Sequence, residues 1–191
     1  EQAEKFRGRV AEIDGITTFS TDAATLPGFS DLDRTRVTLD VSRTGLTGYE
    51  FEKQLAASQV YAEMSTNQHV LLLFTPGTRP EDTNYLLSAI EPAADAGDGS
   101  RRTIRLEPPS IPAFRVTPRE AYYARKRTIE TDRAVGEISA ETIAPYPPGS
   151  AVVVAGEALD ASTIEYLRLV RSSGAVLYGA SDPELRRIRI V

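Results

Sequence analysis

Few residues in this 191-residue sequence could carry chemistry by themselves. The nitrogen bases are one histidine, His69, and three lysines, Lys5, Lys53 and Lys126, and there is no cysteine. That excludes a thiol nucleophile and a disulfide framework. A single histidine without cysteine also argues against a zinc or iron site, which draws several such ligands together. His69 precedes the apolar run VLLLF and reads as a capping or surface histidine; the competing role, a catalyst, has no second histidine to form a relay. The sequence carries no glycine-rich phosphate loop, no G-x-S-x-G elbow and no paired-carboxylate motif. Its own residues therefore do not complete an active site. That leaves either a binding module or a part of a larger enzyme. The scarcity of lysine bears on the choice, because one large class of enzymes depends on a particular lysine.

The elements that would position these residues alternate between the two periods. Phe6, Val10 and Ile13 recur at helical spacing over residues 1–14. GITTFS (15–20) and RVTLDVS (36–42) read as strands. Thr47 and Glu50 form a capping box, with Leu46 and Phe51 placed as a hydrophobic staple, so a helix runs over residues 48–58. QVYAEM (59–64) and HVLLLFT (69–75) read as strands, the second fully buried. Thr78 and Glu81 predict another box, opening a helix over 81–96. The order is β-α-β-β-α, a small α/β layer with helices on one face of a sheet. ADAGDGSRR (94–102) is polar and glycine-containing, the best linker in the chain.

Beyond it, RTIRL (102–106) reads as a strand and EPPSIP as a loop. Thr117 and Glu120 form a further capping box with Pro118 at the first helical position, where its missing N–H costs nothing. RTIET (127–131), EISAETI (137–143), AVVVAG (151–156), AVLYG (175–179) and RIRIV (187–191) read as strands. A helix over 161–172 takes Asp160 as N-cap and a Leu159–Ile164 staple, and ends at Ser173-Gly174. The expected fold is α/β (α+β) in two small domains, the second a mixed α/β unit. APYPPGS (144–150), three prolines and a glycine around Tyr146, reads as a stiff loop between two strands.

Charge narrows the partners. The net charge is −5, which argues against nucleic acid. Residues 101–127 hold eight Lys/Arg against two Glu, and 128–165 hold seven acids against one Arg. Either these faces neutralise each other across the fold, or the second forms an acidic rim that attracts small cations. The longest apolar run is too short to span a bilayer, and the charged amphipathic N-terminus is not a signal peptide. The expected setting is the cytoplasm, with no membrane partner.

A family resemblance then enters on particular residues. Gly136, Ala140-Glu141, Pro145-Tyr146-Pro147-Pro148-Gly149, Gly156-Glu157, Ile164-Glu165-Tyr166-Leu167, Gly174-Ala175, Gly179 and Asp182-Pro183 stand at the spacing of the C-terminal domain of the ornithine/lysine/arginine decarboxylases. RVTLDVSRTGLTGYEFEKQLAASQVYAEMSTNQHVLLLFTPG resembles the small domain of the same enzymes, and TPREAYYARKR their passage into the C-terminal domain. The likeness covers the chain from residue 33 onward. Ser150-Ala151, Ala155 and Glu137 depart from the family pattern and affect loop detail.

The resemblance implies a fold-type I decarboxylase of arginine, lysine or ornithine that uses pyridoxal 5'-phosphate and yields polyamines or their precursors. It assigns residues 1–20 to the end of the cofactor-binding large domain, 21–97 to an aminotransferase-like small domain and 98–191 to the C-terminal domain. The family's Ser-x-His-Lys motif, whose lysine binds the cofactor covalently, has no counterpart here, and all three lysines lie in charged stretches. The expectation is thus a C-terminal fragment, catalytically inert alone, with no catalytic residue, bound cofactor or metal of its own, from a homo-oligomeric parent. Glu63 matches a glutamate that faces the substrate channel in relatives and is the substrate-binding candidate; its competing role is an ordinary exposed strand carboxylate. Tyr146 is the channel or interface candidate, the competing role being a core residue within its own domain. The alternative for the whole chain is a non-enzymatic module that binds amino acids or a protein.

Overall fold

The structure, a computed structural model, describes residues 1–19, 27–100 and 107–191. The chain divides into two compact units, Glu1–Ile104 and Arg105–Val191. Both are mixed α/β, the expected fold class. The strand expected over 102–106 lies outside the described residues.

The first unit is built on a four-stranded antiparallel sheet in the order β1-β2-β4-β3. Its elements are α1 (Gln2–Val10), β1 (Thr17–Thr18), β2 (Arg36–Asp40), α2 (Gly48–Ala57), β3 (Met64–Ser65), β4 (His69–Leu73) and α3 (Pro80–Asp95). Strand alternation sends Val37 and Leu39 of β2 and Val70 and Leu72 of β4 to one face. There they pack with Phe6 and Val10 of α1, Phe51 and Leu55 of α2, and Leu87 and Ile90 of α3. Helix α1 is therefore part of this unit's core. Arg7 supports the arrangement from within: its guanidinium donates to the carbonyls of Arg34 and Arg36, both at 2.9 Å, at the start of β2.

The capping box of α2 forms as expected. Thr47 Oγ1 accepts from the Glu50 N–H at 3.1 Å, and Glu50 Oε2 accepts from the Thr47 N–H at 2.7 Å. The box expected at Thr78 and Glu81 shifts by one residue. Thr78 Oγ1 instead accepts from the Thr75 N–H, Pro80 takes the first turn, and Asp82 accepts from the Arg79 N–H at 2.9 Å. The strand expected over 59–64 is also corrected. Gln59 turns into the left-handed region at φ 55 and the Val60 N–H closes back on Leu55, so the chain reaches β4 only from Glu63 onward. The segment read as a linker begins as the end of α3 and stays attached, since the Gly99 N–H donates to the Thr44 carbonyl at 3.0 Å.

The second unit holds α4 (Pro118–Tyr123), β5 (Arg127–Glu130), β6 (Ala144–Tyr146), α5 (Ala161–Ser172), β7 (Val176–Tyr178) and β8 (Arg187–Ile190). Two antiparallel ribbons, β5–β8 and β6–β7, replace a continuous sheet. The runs 137–143 and 151–156, expected as strands, make only isolated bridges such as Ile138–Ala158 and Ile143–Val153. Conversely, the first three residues of the proline-rich loop are strand β6. Ile143, Val153, Leu159, Leu167, Leu177, Ile188 and Ile190 form the core. Helix α5 begins as its sequence signalled: Asp160 Oδ1 accepts from the Thr163 N–H at 2.6 Å.

Candidate functional site

Each of the two sequence-derived candidates belongs to a different unit. Glu63 stands immediately before β3, where its N–H donates to the Leu71 carbonyl of β4 at 2.9 Å. This bond fixes the backbone and leaves the side chain exposed. Its carboxylate makes no hydrogen bond or ion pair among the described residues, so its accepting capacity is free for a cation. On the same sheet His69 opens β4. Its Nδ1 lies 3.4 Å from Thr66 Oγ1, which also accepts the His69 N–H at 3.1 Å. Its ring sits 5.7 Å from that of Phe19. These are the surroundings of a turn-capping histidine.

Tyr146 ends β6. It pairs across the ribbon with Val176 and its ring meets that of Tyr178 edge-on, with centroids 5.2 Å apart. Period-two alternation buries Pro145 and Leu177 and turns Tyr146, Val176 and Tyr178 outward. Tyr146 remains 45% exposed, which places its ring on the surface of its unit and outside the core. The bonds Tyr146–Pro147 and Pro147–Pro148 are both cis. The Gly149 N–H closes the turn on the Pro145 carbonyl at 2.9 Å.

Two glutamates whose roles the sequence did not disclose hold the framework under this loop. Glu141 is 6% exposed. Its Oε1 accepts from the Ser181 N–H at 3.0 Å and pairs with the Arg189 Nε at 3.2 Å, joining three segments. Glu157 is 5% exposed, and its Oε2 accepts from the Val154 N–H at 2.7 Å. Both stand beside glycine-dependent close approaches. A Cβ on Gly156 would lie 2.4 Å from the Val116 carbonyl oxygen, and one on Gly179 would lie 1.9 Å from that of Thr142. Both glycines also have positive φ, at +100 and +81, a region other residues enter at a cost. Sequence proximity could have signalled Glu157, which follows Gly156 directly, but not Glu141, whose neighbouring glycine, Gly179, lies in a distant segment.

The acidic run 128–165 is largely committed within its own unit. Arg127 pairs with Glu137, Arg168 with Asp132, Arg187 with Glu130 and Arg189 with Glu141. Asp160 caps α5. Among the described residues Arg127 alone pairs from the basic run 101–127, the other partners being Arg168, Arg187 and Arg189, so the stretch is neither neutralised by that run nor left as a free acidic rim. Among the described residues no group of three or more His, Asp or Glu gathers as a metal site, and no helix is long and apolar enough to cross a membrane.

The cofactor question can be tested on the lysines. Lys5, Lys53 and Lys126 are all exposed. Lys5 pairs with Glu1 at 2.7 Å, and Lys126 lies 4.9 Å from the centroid of the Tyr122 ring. A lysine that holds a carbonyl cofactor needs desolvation or a cationic neighbour in a pocket to lower its proton affinity. None of the three has that setting, so these residues do not fit covalent attachment of the cofactor.

Residues 105–181 match the family described as Orn/Lys/Arg decarboxylase, C-terminal domain. The arginine decarboxylase of Bacillus subtilis is 30% identical over 193 residues, covering 99% of this chain and 39% of that protein. The arginine decarboxylase of Halalkalibacterium halodurans is 28% identical over the same shares of each chain. In fold, the constitutive lysine decarboxylase of E. coli matches with a TM-score of 0.76 at 20% identity, over 100% of this chain and 39% of that one. The chain thus spans about two fifths of the length of the curated relatives it matches.

Proposed function

We infer the function from one premise: the chain belongs to the Orn/Lys/Arg decarboxylase family. It forms the small-domain and C-terminal part of a pyridoxal-phosphate-dependent decarboxylase of a basic amino acid. The cofactor and the lysine that holds it belong to the remaining part of the parent enzyme, and this chain alone is inactive. The cofactor supplies the electron sink for decarboxylation, and the reaction yields a polyamine or its precursor. The observation that carries the reading is the placement of the family pattern. Glu141, Glu157, Gly156 and Gly179 are the residues that tie the second unit's backbone together, so its pattern coincides with its physical framework.

Within that enzyme, Glu63 receives the distal cation of the substrate. Its uncommitted carboxylate supports this role, and a charge-assisted bond there is roughly twice as strong as a neutral one once water is excluded. The rest of the pocket wall comes from the cofactor-binding domain. Tyr146 faces that domain near the channel, which its outward ring on a ribbon with a buried reverse side supports. The parent works in the cytoplasm as a homo-oligomer. Arginine is the first substrate to test, because curated relatives at 28–30% identity carry the name arginine decarboxylase.

The test is CO2 release by the full-length enzyme from arginine, lysine and ornithine, with and without pyridoxal phosphate. Cofactor-dependent release from one of the three is expected. Release from none, by a protein that still binds a basic amino acid or another protein, would instead establish a non-enzymatic module. Glu63→Gln is expected to raise KM for the substrate about tenfold or more, the scale of one charge-assisted bond, with cofactor affinity unchanged. Unaltered steady-state constants would remove Glu63 from the site.

A further inference from the structure

An exposed side chain without fixed neighbours exchanges rotamers within nanoseconds, and Tyr146 stands outside the core of its unit. Its ring nonetheless has neighbours. One is the ring of Tyr178 on β7, which meets it edge-on at 5.2 Å between centroids and 73° between planes. The other is Gly149, where a Cβ would stand 3.4 Å from Tyr146 Cδ2, so the glycine leaves the ring its space. Neither tyrosine hydroxyl has a hydrogen-bond partner among the described residues. No cation lies over either ring there, unlike the rings of Tyr122 and Tyr123.

The register of the ribbon brings the two rings together. Tyr146 stands opposite Val176 and Ala144 opposite Tyr178. The tyrosines are therefore diagonal neighbours on one face, a separation that aromatic side chains bridge. Ala144 carries only a methyl group, which leaves the space beside Tyr178 open to the Tyr146 ring. The contact is not what holds the ribbon in place. Tyr178 is 57% exposed, and Pro145 and Leu177, on the reverse side, are the buried residues of the two strands. Nor does it belong to the family pattern, in which Tyr146 and Gly149 stand and Tyr178 does not.

We propose that Tyr178 is a positioning residue for the parent reaction. Its ring edge holds the Tyr146 ring in the orientation in which that ring lines the substrate channel. The inference rests on the reading of Tyr146 as a channel residue. An edge-on pair multiplies the population of the paired rotamer by about two- to tenfold. A substrate that needs this rotamer binds more weakly in proportion to the population lost. The reacting bond, which Tyr146 does not touch, keeps its rate once substrate is bound. Tyr178 thus acts on KM and not on kcat.

Two measurements test it, one on the ring and one on the reaction. In the full chain, NMR should find the Tyr146 ring protons displaced from random-coil shifts by the Tyr178 ring current. Tyr178→Leu should return them toward random-coil values, and Tyr178→Phe should not. Random-coil shifts in the wild-type chain would overturn the proposal without reference to catalysis. In the full-length enzyme, Tyr178→Ala is expected to raise KM for the amino acid about two- to tenfold with kcat unchanged. Tyr178→Phe keeps the ring edge and should retain the wild-type KM, because the lost hydroxyl bonds nothing. Tyr178→Leu, an apolar side chain without a ring, should raise KM as alanine does and replaces that variant should it not fold. Tyr146→Ala should itself raise KM, and in that background Tyr178→Ala should add nothing. A raised KM for Tyr146→Ala beside wild-type values for Tyr178→Ala and Tyr178→Leu would overturn the proposal and leave Tyr146 in the channel. An equal rise on removing Tyr178 in both backgrounds would overturn it by giving Tyr178 a role of its own. A wild-type KM for Tyr146→Ala would remove Tyr146 from the channel, and the proposal with it.

Discussion

The two units solve the problem of stability differently. The first stacks three helices on one face of an antiparallel sheet, and its interior is a continuous apolar layer from Phe6 to Ala93. The second has two short ribbons and isolated bridges. Its irregular backbone is held by buried glutamates and by glycines pressed against carbonyls. The first unit uses some of the same devices, with Arg7 bonding the Arg34 and Arg36 carbonyls and Gly48 and Gly97 lying against those of His69 and Thr44, but there a sheet also supplies ladder partners. Where it does not, buried N–H groups must find other acceptors, and side chains such as Glu141 and Glu157 provide them. The first unit should therefore be most sensitive to lost volume and the second to lost polar partners.

The strongest challenge to that contrast is Phe51→Ala. Phe51 is fully buried in the first core, and removing a buried ring costs about 3–5 kcal/mol. Hydrogen exchange should show the loss in residues 1–100. Protection lost equally in the second unit would break the contrast. Gly179→Ala should act in the opposite unit, by about 2–4 kcal/mol, because it adds left-handed strain of about 1–3 kcal/mol to a backbone collision. The same assay should place that loss in residues 107–191.

Glu141→Gln keeps shape but removes the charge facing Arg189, and should cost about 2 kcal/mol by urea unfolding. A neutral result would show that the second unit's pins are dispensable and that its apolar core alone holds it. Asp160→Ala should cost about 1 kcal/mol through the lost cap of α5.

Asp160 also sharpens the contrast through pH. Desolvation opposes its ionised form, but hydrogen bonds from Thr163, Ser162 and Ser110 outweigh this and hold its carboxyl below the usual range. Asp182 behaves likewise, with desolvation opposed by the Glu184 and Arg187 amides and the Arg186 guanidinium. A lowered folded pKa means stabilisation that is complete above the unfolded value of about 3.9 and lost as pH falls through the folded value. The second unit's urea midpoint should therefore fall below about pH 4. Asp160→Asn, which retains a capping side chain, should flatten that fall while preserving α5. An unchanged acid slope would remove Asp160 from the cause.

Much of this was legible locally. Thr47 with Glu50, Thr117 with Glu120, and Asp160 before α5 cap their helices in the structure as their spacing required, because a cap is settled within four residues. Phe6, Val10, Leu39 and Val70 occupy the core that their periods indicated. The errors at 144–146 and 151–156 share one cause. Residues 151–156 have a strand's composition, yet a strand exists only where a partner runs beside it, and here Val153 alone bridges to Ile143. Ala144–Tyr146 has a loop's composition, yet Val176–Tyr178 runs beside it and makes it a strand. Thr78 lost its cap to Asp82 because Pro80 set where the first turn begins.

The sequence by itself determined the helices, their caps, the faces they bury and the family pattern, all properties that neighbouring residues decide through sterics and hydrogen bonds within a turn. Only the tertiary structure decided that Glu141 and Glu157 are internal supports, that Tyr146 stands outward beside Tyr178, that the carboxylate of Glu63 is left free, and that α4 carries its rings and charges on the surface. Each of these depends on which distant backbone or side chain arrives alongside, and that is set by the packing of the whole unit.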